Sequence, residues 1–102
     1  MIDRVTRIEL APEVGDDFDR ILEHLYQNEV TDAPSRIDEI IQGISVLEYN
    51  PLVGRVAQAD LRALIIGRQS RGYVALYRYV PEVDTIFVLA IRSQREAGYK
   101  RP

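Results

Sequence analysis

The spacing of the apolar residues changes at Pro51, and this change limits the chain to one class of fold. Upstream of it, apolar side chains recur every three or four residues over 12–28 and again over 33–48. This spacing predicts two amphipathic helices. Pro51 cannot continue the second helix, and the short connection between the two helices predicts a helical hairpin.

The second half of the chain has the pattern of strands. After a loop through Gly54, short apolar runs at 61–66, 72–80 and 85–92 predict three strands. Residues 81–84 read Pro-Glu-Val-Asp and predict the turn between the last two. The run at 85–92 is almost wholly apolar, so we expect it to lie centrally in the sheet.

A loosely alternating segment at 2–10 predicts a strand before the helices. The resulting order, β-α-α-β-β-β, predicts an α+β fold in which the helical hairpin packs on one face of a small, mostly antiparallel sheet. At 102 residues the chain is expected to form one domain spanning 1–102.

Composition excludes several classes of function. The chain has no cysteine, which rules out disulfides, thiolate metal sites and a cysteine nucleophile. No apolar run approaches the roughly 20 residues that a membrane-spanning helix needs. The first residues contain no apolar signal core, so we expect a cytoplasmic protein without a membrane partner.

Charge is divided unevenly along the chain. Residues 1–54 carry twelve acids and four arginines, whereas residues 55–102 carry nine basic residues and four acids. A basic half of this kind indicates an anionic partner or target. The alternative is that acids follow the helices and arginines follow the strand ends without functional meaning.

The first predicted helix offers little chemistry. His24 has no second histidine with which to bind a metal, so it is interpreted as a surface or boundary residue. Asp16, Asp17, Asp19 and Glu23 are expected on the outer, solvated face of the helix rather than as an acid/base pair. We therefore expect no metal and no cofactor.

Arginines and tyrosines in and beside the strands are the stronger candidates. Arginine forks bind phosphates and tyrosine rings stack on bases, so the pattern is compatible with a nucleic-acid surface. The alternative is that the tyrosines pack against helices or sheet edges while the arginines extend to solvent. Arg62 could also pair with an acid of the helical hairpin. The residues concerned are Arg55, Arg62, Arg68, Arg71, Arg78, Arg92 and Arg95, with Tyr73, Tyr77, Tyr79 and Tyr99.

Several short stretches, in order, resemble the RelE/ParE family of type II toxin–antitoxin toxins, also called plasmid-stabilisation proteins. They include Asn-Pro-Leu-Val-Gly-Arg at 50–55, Leu-Arg-Ala-Leu at 61–64 and Gly-Tyr-Val-Ala-Leu-Tyr-Arg at 72–78. A longer stretch, Val-Leu-Ala-Ile-Arg-Ser-Gln-Arg-Glu-Ala-Gly-Tyr, covers 88–99, and shorter ones cover 10–13 and 17–25. The resemblance spans nearly the whole chain and implies the family's fold.

The family has two functional branches, and the resemblance to the nuclease branch is the weaker. RelE-like members cleave ribosome-bound mRNA with lysines and arginines on the sheet and a tyrosine in the tail. Here the corresponding strand reads Leu64-Ile65-Ile66, without lysine, and Val74 replaces an arginine. Arginine is a poor general base, so little acid–base machinery remains. The ParE-like branch, which inhibits DNA gyrase, is therefore favoured, and a RelE-like endoribonuclease is the alternative.

The resemblance also implies partners and a site. A cognate antitoxin of ribbon-helix-helix or similar DNA-binding type would neutralise the toxin from the groove between the helical hairpin and the sheet. Operator DNA would be contacted only through that antitoxin. For a nuclease, Arg95 and Tyr99 would be catalytic. A third possibility is an inactive member that only binds its antitoxin. The surface expected to be needed for toxicity comprises Arg68, Arg71, Arg92, Arg95, Tyr99, Lys100 and Arg101.

Overall fold

The computed structural model describes residues 5–67 and 72–94. Two helices precede four strands, and a further short strand comes first. In chain order the elements are β1 (Arg7–Leu10), α1 (Glu13–Gln27), α2 (Ala33–Ser45), β2 (Arg55–Gln58), β3 (Leu61–Ile66), β4 (Tyr73–Val80) and β5 (Thr85–Ser93). Neither described helix is both long enough and apolar enough to cross a membrane.

The five strands form one sheet in the order β1-β5-β4-β3-β2. Strand β1 pairs with β5 in parallel, and every other neighbouring pair is antiparallel. The predicted α+β architecture, with a helical hairpin on a mostly antiparallel sheet, is confirmed. β5 is an interior strand, but β4 rather than β5 is the central one, because β1 adds only a single strand on the far side of β5.

One strand was missed by the sequence prediction. β2 lies in the segment expected to be a loop, and it pairs with β3 as an edge strand. All four of its side chains are exposed, so it lacks the buried alternation on which strand prediction depends. Two boundaries also differ: β1 begins at Arg7, and the second helix becomes a 3₁₀ turn over Val46–Glu48.

The core lies between the helical hairpin and one face of the sheet. On α1, residues spaced by three or four positions are buried, and α2 buries Ile40 and Ile44 in the same way. The sheet contributes alternate residues of its three interior strands, as expected for a face with period two. These sheet residues are Leu64, Ile66, Tyr73, Ala75, Tyr77, Ile86, Val88 and Ile91.

Asp17 contradicts the expectation that the acids of α1 form a solvated face. Its side chain is only 2% exposed. Asp17 Oδ2 accepts a hydrogen bond of 2.9 Å from the backbone N–H of Ile91, and Oδ1 lies 2.8 Å from Arg20 Nη1. Arg20 Nη2 in turn donates to the Ile91 carbonyl at 3.1 Å. A buried carboxylate needs such partners, so Asp17 has a structural role that spacing alone did not reveal.

Close packing between α2 and β3 predicts the effect of adding one methyl group. A Cβ at Gly43 would lie 2.7 Å from Ile66 Cγ2 and 2.9 Å from Cγ1. Ile66 is buried and β-branched, so it cannot easily move. We expect Gly43→Ala to lower the free energy of unfolding by about 1–2 kcal/mol, despite alanine's better helix propensity. Denaturant unfolding measures this change. Gly15→Ala on α1 is the control, because its Cβ would meet nothing within 4 Å; it should leave stability unchanged or raise it.

The Asp17 contacts predict a second, larger effect. Asp17→Ala removes the acceptor for the buried Ile91 N–H and the carboxylate that pairs with Arg20. Breaking a buried pair of this kind is expected to cost about 3 kcal/mol of unfolding free energy. Asp19→Ala changes an exposed acid of the same helix and should alter stability by at most about 0.5 kcal/mol. Equal effects of the two substitutions in urea unfolding would contradict the assigned role of Asp17.

Candidate functional site

The sheet face opposite the helical hairpin is here called the far face. It carries Arg92, which is the one residue of the predicted toxicity surface that lies within the described part of the chain. Cross-strand partners form rows across it: Ile65, Val74 and Arg92 make one row. Ala63, Leu76 and Ala90 make the next, and Arg55 pairs with Ala63 at its edge. A third row joins Leu61, Arg78 and Phe87. The middle row of the far face is thus apolar, and the rows on either side of it contain Arg92 and Arg78. Val74 and Ala90 on this face are buried.

Arg92 lies near the end of β5 and is half-buried. Its Nη1 donates a hydrogen bond of 3.1 Å to the carbonyl of Ser93. The other residues predicted for the toxicity surface lie outside the described residues, so their arrangement around Arg92 stays a prediction. They are Arg68, Arg71, Arg95, Tyr99, Lys100 and Arg101.

The position of Arg92 depends on an irregularity in β5. Opposite Leu76 and Tyr77, β5 contains one extra residue, Leu89, and the pairing shifts from Val88 to Ala90. Upstream of this bulge the even-numbered residues face the helices, and downstream the odd-numbered Ile91 does. The bulge therefore turns Arg92 away from the core and onto the far face.

The described part of the far face offers binding chemistry rather than acid–base chemistry. Arginine is a poor general base. The carboxylates that reach it are engaged with arginines: Glu9 lies 3.6 Å from Arg7, and Asp60 lies 2.9 Å from Arg78. His24 is exposed on α1, as expected. Among the described residues, no three metal-ligating side chains converge.

The tyrosines of β4 are not available to stack on bases, which corrects the nucleic-acid interpretation of that strand. Tyr73 is 4% exposed and Tyr77 is fully buried, and both face the helices. Tyr79 is partly buried and donates its hydroxyl hydrogen to Asp84 Oδ1 at 2.8 Å. The tyrosines that alternate along β4 therefore pack in or against the core, in agreement with the alternative that they pack against helices or sheet edges.

Tyr77 also fixes a loop that the sequence did not single out. Its hydroxyl donates to the Pro51 carbonyl and accepts from the Gly54 N–H, both at 2.9 Å. Burial raises the pKa of the Tyr77 hydroxyl above its ordinary value of 10, although the Gly54 hydrogen bond and nearby Arg62 act in the opposite direction. The hydroxyl is therefore neutral at physiological pH and remains a donor.

Arg62 holds the same loop rather than an acid of the helical hairpin. Its Nη1 donates to the carbonyls of Leu52 at 3.1 Å and Gly54 at 2.9 Å. Gly54 fits because it lacks a side chain: a Cβ there would lie 2.7 Å from the Tyr77 ring. The loop is thus held by two side chains of the sheet, while Leu52 and Val53 are each 56% exposed.

Fold and far face together define a small α+β protein with arginines on the sheet face opposite its helical hairpin. Comparison with protein families makes this specific. The chain belongs to the family described as the ParE toxin of the type II toxin–antitoxin system, whose model matches residues 8–98. The resemblance seen in the sequence is confirmed, and the protein is a toxin of the ParE/RelE family. Comparison with curated proteins found no match.

Solved structures share the fold at low sequence identity. A chain from the chromosomal ParDE system of Pseudomonas aeruginosa superposes with a TM-score of 0.72 and 18% identity, covering 89% of this chain and 98% of that one. A chain of the RelBE2 toxin–antitoxin complex from Mycobacterium tuberculosis gives 0.63 and 18%, covering 93% and 98%. The archaeal RelE–RelB complex from Pyrococcus horikoshii OT3 gives 0.56 and 13%, covering 91% and 99%.

The role of Tyr77 can be tested by removing one atom. Tyr77→Phe leaves the Gly54 N–H and the Pro51 carbonyl without their partner, and we expect a loss of about 2 kcal/mol in unfolding free energy. The deficit should shrink above pH 10. In the unsubstituted protein, the Tyr77 hydroxyl ionises at a lower pH in the unfolded state than in the folded state, so the unsubstituted protein loses stability as the pH rises, whereas the phenylalanine variant does not. Tyr26→Phe, at a side chain 60% exposed on α1, is the control and should change little. A deficit that does not vary with pH would contradict the assigned burial effect.

Proposed function

We propose that this toxin is ParE-like in its action: it binds DNA gyrase, blocks the gyrase reaction and is neutralised by a cognate antitoxin. Fold alone does not separate this function from that of the RelE-like nucleases, because both branches share the architecture. The proposal therefore rests on the chemistry of the far face.

The observation that carries the proposal is the aliphatic character of β3. Ile65 points to the far face and is 42% exposed, at a strand where the nuclease branch carries lysines. The same row continues with Val74, which is buried, and ends at Arg92. The exposed Ile65 can make apolar contacts with a protein, and Arg92 can donate hydrogen bonds to it. It lacks, in its described part, the proton donor and acceptor that cleavage at a 2′-hydroxyl requires.

The surface proposed for gyrase is Arg92 together with the residues predicted from the sequence. The residues predicted from the sequence are Arg68, Arg71, Arg95, Tyr99, Lys100 and Arg101. Arginine and tyrosine are enriched among the residues that dominate protein–protein binding. The ParDE and RelBE structures come from toxin–antitoxin systems, which supports an antitoxin as the second partner. A ribbon-helix-helix or similar antitoxin would contact operator DNA, and the toxin would not.

Purified components can test the target. With purified gyrase and supercoiled plasmid, we expect the toxin to inhibit supercoiling and to accumulate cleaved DNA covalently bound to gyrase. With ribosomes and mRNA, we expect no cleavage in primer-extension assays. Codon-phased mRNA cuts without an effect on gyrase would contradict the proposal and support the RelE-like alternative. Normal growth on expression of soluble, folded toxin without antitoxin would contradict both.

Variants can test the surface. Arg92→Ala, Arg95→Ala and Tyr99→Ala should each reduce gyrase inhibition by about tenfold or more, as expected for residues that dominate an interface. Antitoxin binding should be retained, which shows that the variants are folded. Arg36→Ala on α2 removes an arginine from the opposite side of the sheet and should leave inhibition unchanged. Full inhibition by all three surface variants would place the gyrase contact elsewhere.

A further inference from the structure

A groove at the β2–β3 end of the sheet is separate from the far-face row that ends at Arg92. It is formed by the fixed loop, the first residues of β3 and the end of β4, and is here called the Leu52 groove. Leu52, Val56, Leu61 and Pro81 supply its apolar wall, and Asp60 and Arg62 supply its polar groups. Leu52 is 56% and Val56 65% exposed. Two large aliphatic side chains are therefore presented to solvent on one short segment.

The exposure of these side chains is built into the fold. The Leu52 loop is held by the Tyr77 hydroxyl and the Arg62 guanidinium, which bind the carbonyls of Pro51, Leu52 and Gly54. A loop held at three carbonyls cannot turn its aliphatic side chains inward without breaking these hydrogen bonds. An exposed apolar patch held in place in this way is typical of a protein interaction site.

The size of the Leu52 groove indicates what kind of group it binds. Its volume is about 210 Å³. This is smaller than the roughly 300–1,000 Å³ of pockets that bind small molecules. It is suited to one or two aliphatic side chains of a protein segment that lies across it.

The charge of the groove indicates the sign of the partner. The Asp60 carboxylate forms an ion pair with Arg78, whose Nε lies 2.9 Å away. Arg62 donates its hydrogen bonds to neutral carbonyls, and no ion pair joins it to a described carboxylate. The groove therefore favours a carboxylate beside the aliphatic side chains of its partner.

The adjacent edge strand disfavours docking by strand addition. β2 has only four residues, and its pairing with β3 is interrupted between Val56 and Gln58. Ala59 follows with φ 52°, which turns the backbone away from an extended path. Short, irregular edges of this kind resist pairing with another strand. Binding at this end of the sheet must therefore depend on side chains.

We propose that the Leu52 groove binds an acidic, aliphatic-rich segment of the antitoxin. The proposal rests on the proposed function, since it assumes that an antitoxin neutralises this toxin. Aliphatic side chains of the segment lie against Leu52 and Val56, and a carboxylate faces Arg62. This site differs from the groove between the helical hairpin and the sheet that the family resemblance implies.

The test compares matched aspartate substitutions in the full chain. The probe is the purified antitoxin encoded beside this toxin, and its affinity is measured by isothermal titration calorimetry. Leu52→Asp and Val56→Asp should each weaken binding by about 30-fold or more, as expected at a dominant contact. Leu10→Asp makes the same change at a side chain 47% exposed on β1, at the opposite edge of the sheet. It should bind as the unsubstituted chain does.

A second measurement tests the charge. Arg62→Gln should weaken antitoxin binding severalfold at low salt, and by more than Arg55→Gln, whose side chain lies on the far face. The difference should narrow as added salt screens the interaction. Leu52→Ala and Val56→Ala repeat the apolar test without adding charge, and thermal unfolding confirms that each variant is folded. Fluorescent peptides that tile the antitoxin identify the bound segment, which should contain both aliphatic and acidic residues.

Three results would overturn the proposal, and they are distinguishable. Unchanged affinity in both aspartate variants, with loss of binding in Ile41→Asp on α2, would place the antitoxin on the helical hairpin and leave the proposed function intact. A dimer of the toxin alone that Leu52→Asp dissociates would show that a second copy occupies the groove. No binding of the antitoxin to the unsubstituted toxin would contradict the proposed function itself.

Discussion

The sheet depends on two side chains of α1, Asp17 and Arg20, which form hydrogen bonds with backbone groups of β5 where no strand lies beside it. β1 pairs with β5 only as far as Val88, because the chain then leaves the sheet to form α1. Beyond that point the N–H and carbonyl of Ile91 face α1 rather than a neighbouring strand. Asp17 accepts from one group and Arg20 donates to the other, so a charged pair on the helix continues the hydrogen bonding of the sheet. Buried backbone groups require such partners, and this requirement fixes the helix against β5.

The same contact affects the orientation of Arg92 in the proposed binding surface. With Ile91 held toward α1, the residue after it must point to the other face, and that residue is Arg92. The bulge at Leu89 is equally necessary, because without it the regular alternation from Ile86 and Val88 would send Arg92 into the core. A hydrogen-bonded pair on one side of the sheet and one extra residue in β5 thus decide on which face of the sheet Arg92 lies.

The sequence was sufficient for those features that depend on spacing. The helical stripes, the strand at 61–66 and the turn after Val80 follow from apolar period and turn chemistry, and the structure contains them. β2 could not be predicted because an edge strand with four exposed side chains has no period to detect. The bulge was hidden as well, since the run around Leu89 is apolar on both faces of the strand.

Polar residues were harder to interpret because their role depends on partners distant in the chain. Asp17 resembles its exposed neighbours Asp16 and Asp19 in sequence, and only the position of Ile91 distinguishes it. Tyr77 has the same difficulty: its place on β4 predicts burial, but its hydrogen bonds to the loop 23 and 26 residues earlier cannot be inferred from spacing. The Leu52 groove was missed for this reason, since it exists only because Tyr77 and Arg62 hold its loop.

The two proposed binding surfaces meet at one ion pair. Arg78 lies on the far face, whereas its partner Asp60 lines the Leu52 groove. Both side chains of the pair are exposed, so the pair contributes little to stability. A neighbouring charge can therefore readily change the interaction between Arg78 and Asp60. A carboxylate of an acidic segment in the groove would lie near Arg78 as well as Arg62, and would reduce the positive potential at this margin of the far face.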